Sequence, residues 1–178
     1  GWAVKPTNFD PAKKYPVLLH VYGGPGSQTV TNSWGSTNYL WYQLLAQKGY
    51  IIASVDGRGT GARGKEFKSM TYKNLGTWEV NDQIEAAKYF GSQAYVDKTR
   101  IGIWGWSYGG YMSSLTILKG ADYFKTAVAV APVTHWKFYD TIYTERYMQR
   151  PQDNEEGYTE SAPVTHASKL KGNLLVVH

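Results

Sequence analysis

A serine between two glycines is the clearest chemical feature of the chain. Residues 105–109 are Gly-Trp-Ser-Tyr-Gly, which fits the G-x-S-x-G pattern of a nucleophilic serine on a sharp strand-to-helix turn. An apolar run precedes this stretch and a helical pattern follows it. A helix N-terminus also places partial positive charge beside an anion that forms there. We therefore predict that Ser107 is a nucleophile for acyl transfer; the alternative is a tight glycine turn with a capping serine.

Acyl transfer also requires hydrogen-bond donors for the oxyanion that develops on the attacked carbonyl. In turns of this kind one donor is the backbone N–H of the residue after the serine, which here is Tyr108. A second donor usually comes from a loop after an earlier strand, and the loop at Tyr22–Gly26 follows an apolar run. Either a glycine N–H or the Tyr22 hydroxyl could serve. The alternative for this loop is an ordinary Gly/Pro turn.

The general base for Ser107 cannot be assigned among the four histidines. His20 lies within an apolar run and is interpreted as a core residue, whereas His166 is predicted on a surface helix. Serine turns of this type are followed along the chain by an Asp or Glu and then by the histidine. His135 comes too early for that order, and His178 follows no suitable acid. Asp140 is a weaker alternative for the acid.

Two other groups of charged residues are interpreted as structural. Asp56–Gly61 reads DGRGTG after an apolar run, but it lacks the spacing of a phosphate-binding loop. We predict a structural turn with an internal contact between Asp56 and Arg58. Glu79 and Asp82 fall in the first turns of a predicted helix, where acidic side chains interact favourably with the helix dipole.

Alternating apolar runs and helical patterns must position these residues. Five runs predict buried strands: Pro16–Tyr22, Tyr50–Val55, Arg100–Trp104, Thr126–Ala131 and Asn173–His178. Four helices are predicted: one around Leu40–Leu45, capped by Ser36 or Asn38 and ended by Gly49, and others at Trp78–Phe90, Gly110–Lys119 and Pro163–Leu170. The polar stretch Gln149–Thr159 is predicted to be a surface loop. This succession predicts a doubly wound α/β sheet that binds ligands beyond the carboxyl ends of its strands.

Composition excludes several classes of site. The chain has no cysteine, which excludes disulfides, thiolate nucleophiles and cysteine metal sites. The net charge of +5 comes from scattered Lys and Arg, so we predict a solvated basic surface and no nucleic-acid binding. No apolar run approaches the ~20 residues of a membrane span. The 178 residues suit one ordinary domain.

Five segments together resemble one enzyme family. They are VYGGPGSQ at 21–28, VDGRGTG at 55–61, LGTWEVNDQIEAAKYF at 75–90, GWSYGGY at 105–111 and AVAPVTHWKFYDTIYTERYM at 129–148. In this order they resemble the catalytic domain of dipeptidyl peptidase IV-like serine peptidases, a group within the prolyl oligopeptidase family. The resemblance covers essentially the whole chain. Trp106 and Tyr108, on either side of the serine, point to the dipeptidyl peptidase IV group.

The resemblance implies an α/β-hydrolase fold and a role for each matching residue. Ser107 would be the nucleophile, and the Tyr22 hydroxyl and the Tyr108 N–H would form the oxyanion hole. The pocket for a proline-like residue would be lined by Tyr108, Val133, Trp136, Tyr139 and Tyr143. Aromatic faces suit a flat proline ring. The i, i+3, i+7 spacing of the last three also fits a helix packed on the core. No metal or organic cofactor is implied.

The implied reaction is release of N-terminal dipeptides with Pro or Ala second, from peptides or proteins with a free N-terminus. The catalytic Asp and His would lie beyond residue 178, so residues 1–178 are expected to be a partial, inactive hydrolase domain without its β-propeller. We expect an exposed sheet edge along Leu174–Val177. The resemblance further implies a homodimeric parent that is exported to the periplasm or the cell surface. Alternatives are a non-catalytic protein-binding module, and a tripeptidyl peptidase, acyl-peptide hydrolase or esterase.

Overall fold

A computed structural model describes residues 1–35 and 37–178. The described residues form a six-stranded sheet in the order β1-β3-β2-β4-β5-β6. The strands are β1 Trp2–Val4, β2 Tyr15–His20, β3 Ile51–Ser54, β4 Val96–Trp106, β5 Thr126–Val130 and β6 Asn173–Val177. The α-helices are α1 Asn38–Gln47, α2 Lys65–Ser69, α3 Thr77–Gly91, α4 Tyr108–Lys119, α5 Thr141–Met148 and α6 Glu155–Glu160. Short 3₁₀ helices span Trp136–Phe138, Pro151–Asp153 and Pro163–Lys169.

The predicted α/β architecture is confirmed. All five predicted strands are present, and each of them pairs in parallel with its neighbours among the five. Strand β1 was not predicted; it pairs antiparallel with β3, opposite Ile52–Ser54. Three residues are too few to show the alternation or the long apolar run by which strands are recognised.

The first predicted helix is confirmed as α1. It ends just before Gly49, whose φ of +89° is favourable only for a residue without a Cβ. Asn38, predicted as a cap, is the first helical residue, and Thr37 occupies the cap position without a side-chain hydrogen bond to the helix. The other predicted cap, Ser36, lies outside the described residues.

The prediction of a surface loop at Gln149–Thr159 is wrong. This stretch contains the 3₁₀ helix Pro151–Asp153 and most of α6. The side chain of Tyr158 is fully buried, and its hydroxyl donates a hydrogen bond of 2.7 Å to the Gln149 carbonyl. One buried aromatic side chain thus anchors a segment that is otherwise mostly polar, and its other residues are exposed or half-buried. Composition alone does not reveal this pattern.

The next segment also differs from the prediction. Pro163–Lys169 is a 3₁₀ helix, and His166 is buried rather than on a surface helix. The His166 Nε2 lies 2.9 Å from the Glu160 carbonyl oxygen. This hydrogen bond to the end of α6 compensates for burial of the imidazole. The spacing of apolar residues along the sequence gives no sign of such a contact.

The contact predicted between Asp56 and Arg58 is also wrong. The Asp56 carboxylate accepts hydrogen bonds from the backbone of Thr29 and Val30. The Arg58 guanidinium instead pairs with Asp82 of α3, with Nε 3.0 Å from the carboxylate. Asp56 and Arg58 thus bind different partners, although they lie in the same turn. Asp82, which was expected to interact with the helix dipole, forms an ion pair with Arg58.

The two faces of the sheet are covered to different extents. On one face α3 and α4 pack on the sheet, and alternate strand residues are fully buried: Val17, Leu19, Ile101, Ile103, Ala127 and Ala129. On the other face α1 covers mainly β3 and β1. The predicted exposed edge is present, because β6 pairs only with β5 and its Leu175 side chain is 58% exposed. No helix among the described residues is both long and apolar enough to cross a membrane.

Candidate active site

Ser107 lies on the turn between β4 and α4 in a strained backbone conformation. Its φ is +59° and its ψ is −114°, a combination that costs a residue with a side chain about 1–3 kcal/mol. Two hydrogen bonds hold it there. The Ser107 N–H donates to the Val130 carbonyl at 2.9 Å, and the Ser107 carbonyl accepts from the Tyr111 N–H at 2.9 Å. The predicted strand–turn–helix setting of the serine is therefore present, with its side chain half-buried.

The glycines around Ser107 allow two strand ends to approach the turn. A Cβ on Gly105 or on Gly109 would overlap the carbonyl oxygen of Val21, the residue after β2. A Cβ on Gly110 would overlap the carbonyl oxygen of Val130 at the end of β5. The serine turn therefore packs directly on the main chain that leads into the Tyr22 loop.

Tyr22 and Tyr108 lie side by side next to this turn. Their ring centroids are 6.0 Å apart, and Gly24 packs against both rings, because a Cβ there would lie 2.7 Å from Tyr22 Cε1 and 3.2 Å from Tyr108 Cγ. As the first residue of α4, Tyr108 has an N–H with no partner inside the helix. Burial raises the pKa of the Tyr22 hydroxyl, and Tyr139 and Tyr147 raise it further. The hydroxyl therefore keeps its proton at neutral pH and can donate a hydrogen bond.

The predicted pocket residues meet around Trp136, which is fully buried. Its ring centroid lies 5.6 Å from Tyr108, 5.9 Å from Tyr139 and 6.1 Å from Tyr143. Val133 is half-buried and packs on the same core. The alternative of one continuous helix through Trp136 and Tyr143 is wrong, because a 3₁₀ turn and α5 are separated by extended backbone at 139–140. The structure therefore brings the aromatic residues together on two short elements.

Asp140, the weaker candidate for a catalytic acid, caps α5. Its Oδ1 accepts a hydrogen bond of 2.8 Å from the Tyr143 N–H. A side-chain acceptor at this position satisfies one of the free N–H groups at the helix start. Asp140 therefore fixes the helix that carries Tyr143, and no histidine among the described residues is hydrogen-bonded to it.

None of the four histidines is hydrogen-bonded to Ser107 within residues 1–35 and 37–178. His20 packs between Trp104 and Tyr42, its Nδ1 is buried without a partner, and burial lowers its pKa to about 4. His135 accepts a hydrogen bond of 3.2 Å from the Lys137 N–H. His166 contacts Glu160, as described above, and His178 is exposed at the end of the chain. The described part of the chain also contains no group of three His, Asp or Glu side chains placed to hold a metal ion.

Glu79 lies in the first turn of α3, as predicted, but its role is not limited to the helix dipole. Its side chain is fully buried. Its Oε1 accepts a hydrogen bond of 2.8 Å from the Tyr108 hydroxyl, and its Oε2 accepts one of 2.9 Å from the Gly76 N–H. Burial raises its pKa from 4.5 to about 7, although these hydrogen bonds oppose the shift. A signal was present, since Glu79 shares its helix face with the buried Gln83 and Phe90.

Comparison with known proteins places this geometry in a family. The sequence profile described as the prolyl oligopeptidase family matches residues 36–178. Proteins named "Probable dipeptidyl-aminopeptidase B" from Arthroderma gypseum and Trichophyton verrucosum are 52% and 51% identical to the chain over 177 residues. These alignments cover 98% of the chain and 19% of each relative, so the chain spans about a fifth of their length.

A solved structure gives the same result for the fold. The crystal structure of Porphyromonas gingivalis dipeptidyl peptidase 4 matches with a TM-score of 0.95 and 51% sequence identity. The match covers 98% of this chain and 24% of that one. At this similarity the mostly parallel sheet and its serine turn have the α/β-hydrolase fold, as expected. The chain belongs to the prolyl oligopeptidase family.

Proposed function

We propose that the chain forms part of the catalytic domain of a serine peptidase that releases dipeptides from the free N-terminus of peptides and proteins. The observation that carries this proposal is the strained Ser107 turn, which lies beside two tyrosines and a buried aromatic cluster. The names of the relatives support release of dipeptides. The family resemblance supports a homodimeric parent protein in which residues 1–178 are one portion of the hydrolase domain.

The proposed reaction proceeds through an acyl-enzyme. Ser107 Oγ attacks the peptide carbonyl carbon while its proton passes to a general base, and the carbonyl oxygen becomes an oxyanion. The Tyr108 N–H and the Tyr22 hydroxyl stabilise that oxyanion. The C–N bond then breaks, the leaving amine takes the proton, and water releases the dipeptide from Ser107. His20 is packed between aromatic rings, and His178 is exposed at the end of the described residues. Because His135 and His166 take part in other hydrogen bonds, we propose that the base and its acid partner are not among the described residues.

The aromatic cluster supports a preference for Pro or Ala as the second residue of the substrate. Tyr139 and Tyr143 are partly exposed beside the buried Trp136, and their rings meet edge to face at 5.5 Å. A pyrrolidine ring has flat apolar faces that pack well on such rings, and a methyl group fits the same space.

The test compares the complete protein with its Ser107→Ala variant on Ala-Pro, Gly-Pro, tripeptidyl and short-ester substrates. We expect rapid release from the Pro dipeptides and a loss of about 10⁴–10⁶-fold in Ser107→Ala, because members of a catalytic triad act as a unit. Ser92→Ala, at the exposed C-terminus of α3, is the matched control and should keep full activity. Equal turnover by Ser107→Ala refutes the nucleophile, and faster release of tripeptides or esters refutes the substrate class.

The proposal extends to the isolated 178-residue chain, which we expect not to turn over substrate. Without a base hydrogen-bonded to it, a serine hydroxyl remains a weak nucleophile. A fluorophosphonate probe should label Ser107 in this chain far more slowly than in the complete protein. Labelling at the same rate in both would show that the chain contains its own base.

A further inference from the structure

We propose that Glu79 is a positioning residue for the reaction: its buried carboxylate holds the Tyr108 side chain and thereby fixes the oxyanion donors beside Ser107. This inference rests on the proposed function, because it concerns the same reaction. Glu79 is the third residue of α3 and binds the hydroxyl of Tyr108, whereas Gly24 of the Tyr22 loop packs near Tyr108 Cγ. It contacts no reacting atom, so its effect would pass through Tyr108.

The carboxylate connects two helices that meet at the site. Its Oε2 binds the Gly76 N–H at the start of α3, and its Oε1 binds the Tyr108 hydroxyl at the start of α4. The two helix starts are in close contact, because a Cβ on Gly76 would overlap the Tyr111 hydroxyl. Tyr111 in turn donates a hydrogen bond of 3.1 Å to the Leu75 carbonyl. Because its two oxygens bind donors on two different helices, the Glu79 side chain is held in the rotamer that reaches both donors.

Tyr108 transmits this constraint to the site because its ring and its N–H belong to the residue that follows Ser107. The ring packs against Tyr22 at 6.0 Å, Tyr111 at 5.2 Å and Trp136 at 5.6 Å. With its hydroxyl held by Glu79, the ring has one position between these neighbours. A displacement of about 1 Å in a catalytic arrangement can reduce the rate about 10²-fold. Loss of this hydrogen bond should therefore affect the rate more than substrate binding.

The chemistry of the pair argues for a role beyond packing. A buried carboxylate is expensive to desolvate, and its raised pKa of about 7 reflects that penalty. A Gln at the same place could accept a hydrogen bond from Gly76 with no charge to bury. A carboxylate, however, accepts a stronger hydrogen bond from a phenol than an amide does. A group that lowers stability while it tightens the hold on Tyr108 is typical of a functional site.

The experiment is a double-mutant cycle in the complete protein, with an Ala-Pro substrate and separate measurement of kcat and KM. The variants are Glu79→Gln, Tyr108→Phe and the two combined. We expect each single change to lower kcat about tenfold with KM changed less than about threefold. The double variant should have nearly the kcat of the single variants, because both changes remove one interaction. Glu85→Gln, a Glu of the same helix with an exposed side chain, is the matched control and should leave kcat unchanged.

Several outcomes would overturn the inference. An unchanged kcat in Glu79→Gln does so, and so does full additivity in the double variant. If Glu79→Gln does not fold, Tyr108→Phe decides, because it removes the same hydrogen bond by deleting one oxygen atom; an unchanged kcat then leaves Glu79 with a structural role only. These results differ from failure of the proposed function. That failure would show as an unsubstituted protein without dipeptide release, or as Ser107→Ala with normal turnover.

Discussion

The two faces of the sheet differ in how completely helices cover them. On one face every residue of α4 from Tyr108 to Leu118 is buried, and the serine turn, the aromatic cluster and Glu79 all lie at its start. On the other face and along β6, apolar side chains such as Leu175 and Val177 remain exposed. The covered face therefore defines the candidate site by close packing, whereas the open region contributes little to it. The following predictions test that difference.

The largest stability effect should come from removing the centre of the covered cluster. Trp136→Ala leaves a cavity among Tyr108, Tyr111 and Tyr143, and we expect a loss of about 3–5 kcal/mol in the free energy of unfolding. Leu175→Ala on the open edge is the matched comparison and should cost less than about 0.5 kcal/mol. Thermal unfolding of the 178-residue chain, in which the β6 edge is open, measures both. Equal effects would show that the two regions contribute alike.

A pH-dependent effect should be specific to the covered face. Because the pKa of Glu79 is about 7 in the folded state and 4.5 when unperturbed, its contribution to stability is fully present below pH 4.5. As the pH rises from 4.5 to about 7, the free energy of unfolding falls by about 3 kcal/mol in total. The reason is that the carboxyl group ionises at lower pH in the unfolded chain than in the folded protein. The groups facing it are Tyr108 and Tyr111 of α4, Tyr143 of α5, Arg58 and, on its own helix, Asp82.

Glu79→Gln removes that titration. We expect the unfolding midpoint of the variant to rise relative to the unsubstituted protein as pH increases from 5 to 8, although the variant is less active. A carboxylate that destabilises the fold while it serves the reaction would be a stability–activity trade-off. Calorimetry at the two pH values checks this, and a constant difference between the proteins would contradict the assignment.

Close approach of the main chain should also make the covered face sensitive to a single methyl group. Gly109→Ala places a Cβ against the Val21 carbonyl, which cannot move without shifting β2 and Tyr22. We expect a loss of about 1–3 kcal/mol together with a reduced kcat. Gly91→Ala, at the end of α3, meets only ordinary van der Waals contacts and is the control. A Gly109→Ala protein with full activity would show that the serine turn can accept a Cβ at this position without disturbing the site.

The smallest effect on folding should come from the open edge, where association is the expected consequence. Strand β6 presents unpaired backbone groups and three exposed apolar side chains, Leu175, Val176 and Val177, which can template pairing with another chain. We expect the 178-residue chain to self-associate in size-exclusion chromatography, and Val176→Lys to reduce this with a stability change below about 0.5 kcal/mol. A soluble monomer without the substitution would contradict this expectation.

The same difference explains what could be predicted from the sequence. The strands of the sheet and the serine turn were predicted because apolar runs and glycine spacing are local signals. The surroundings of Glu79 were missed, because burial of its carboxylate depends on Tyr108, which lies 29 residues further along the chain. The pairing of Arg58 with Asp82, 24 residues apart, was missed for the same reason. Tyr158 and His166 are buried within segments that have no apolar periodicity to indicate burial.

Ser107 itself is the most direct test of the account. The complete protein is treated with a fluorophosphonate, its residual Ala-Pro dipeptide release is followed over time, and the labelled residue is located by mass spectrometry. The account predicts one label, on Ser107, that appears in proportion to the lost activity. A label on another residue, or full labelling of Ser107 with dipeptide release intact, would contradict it.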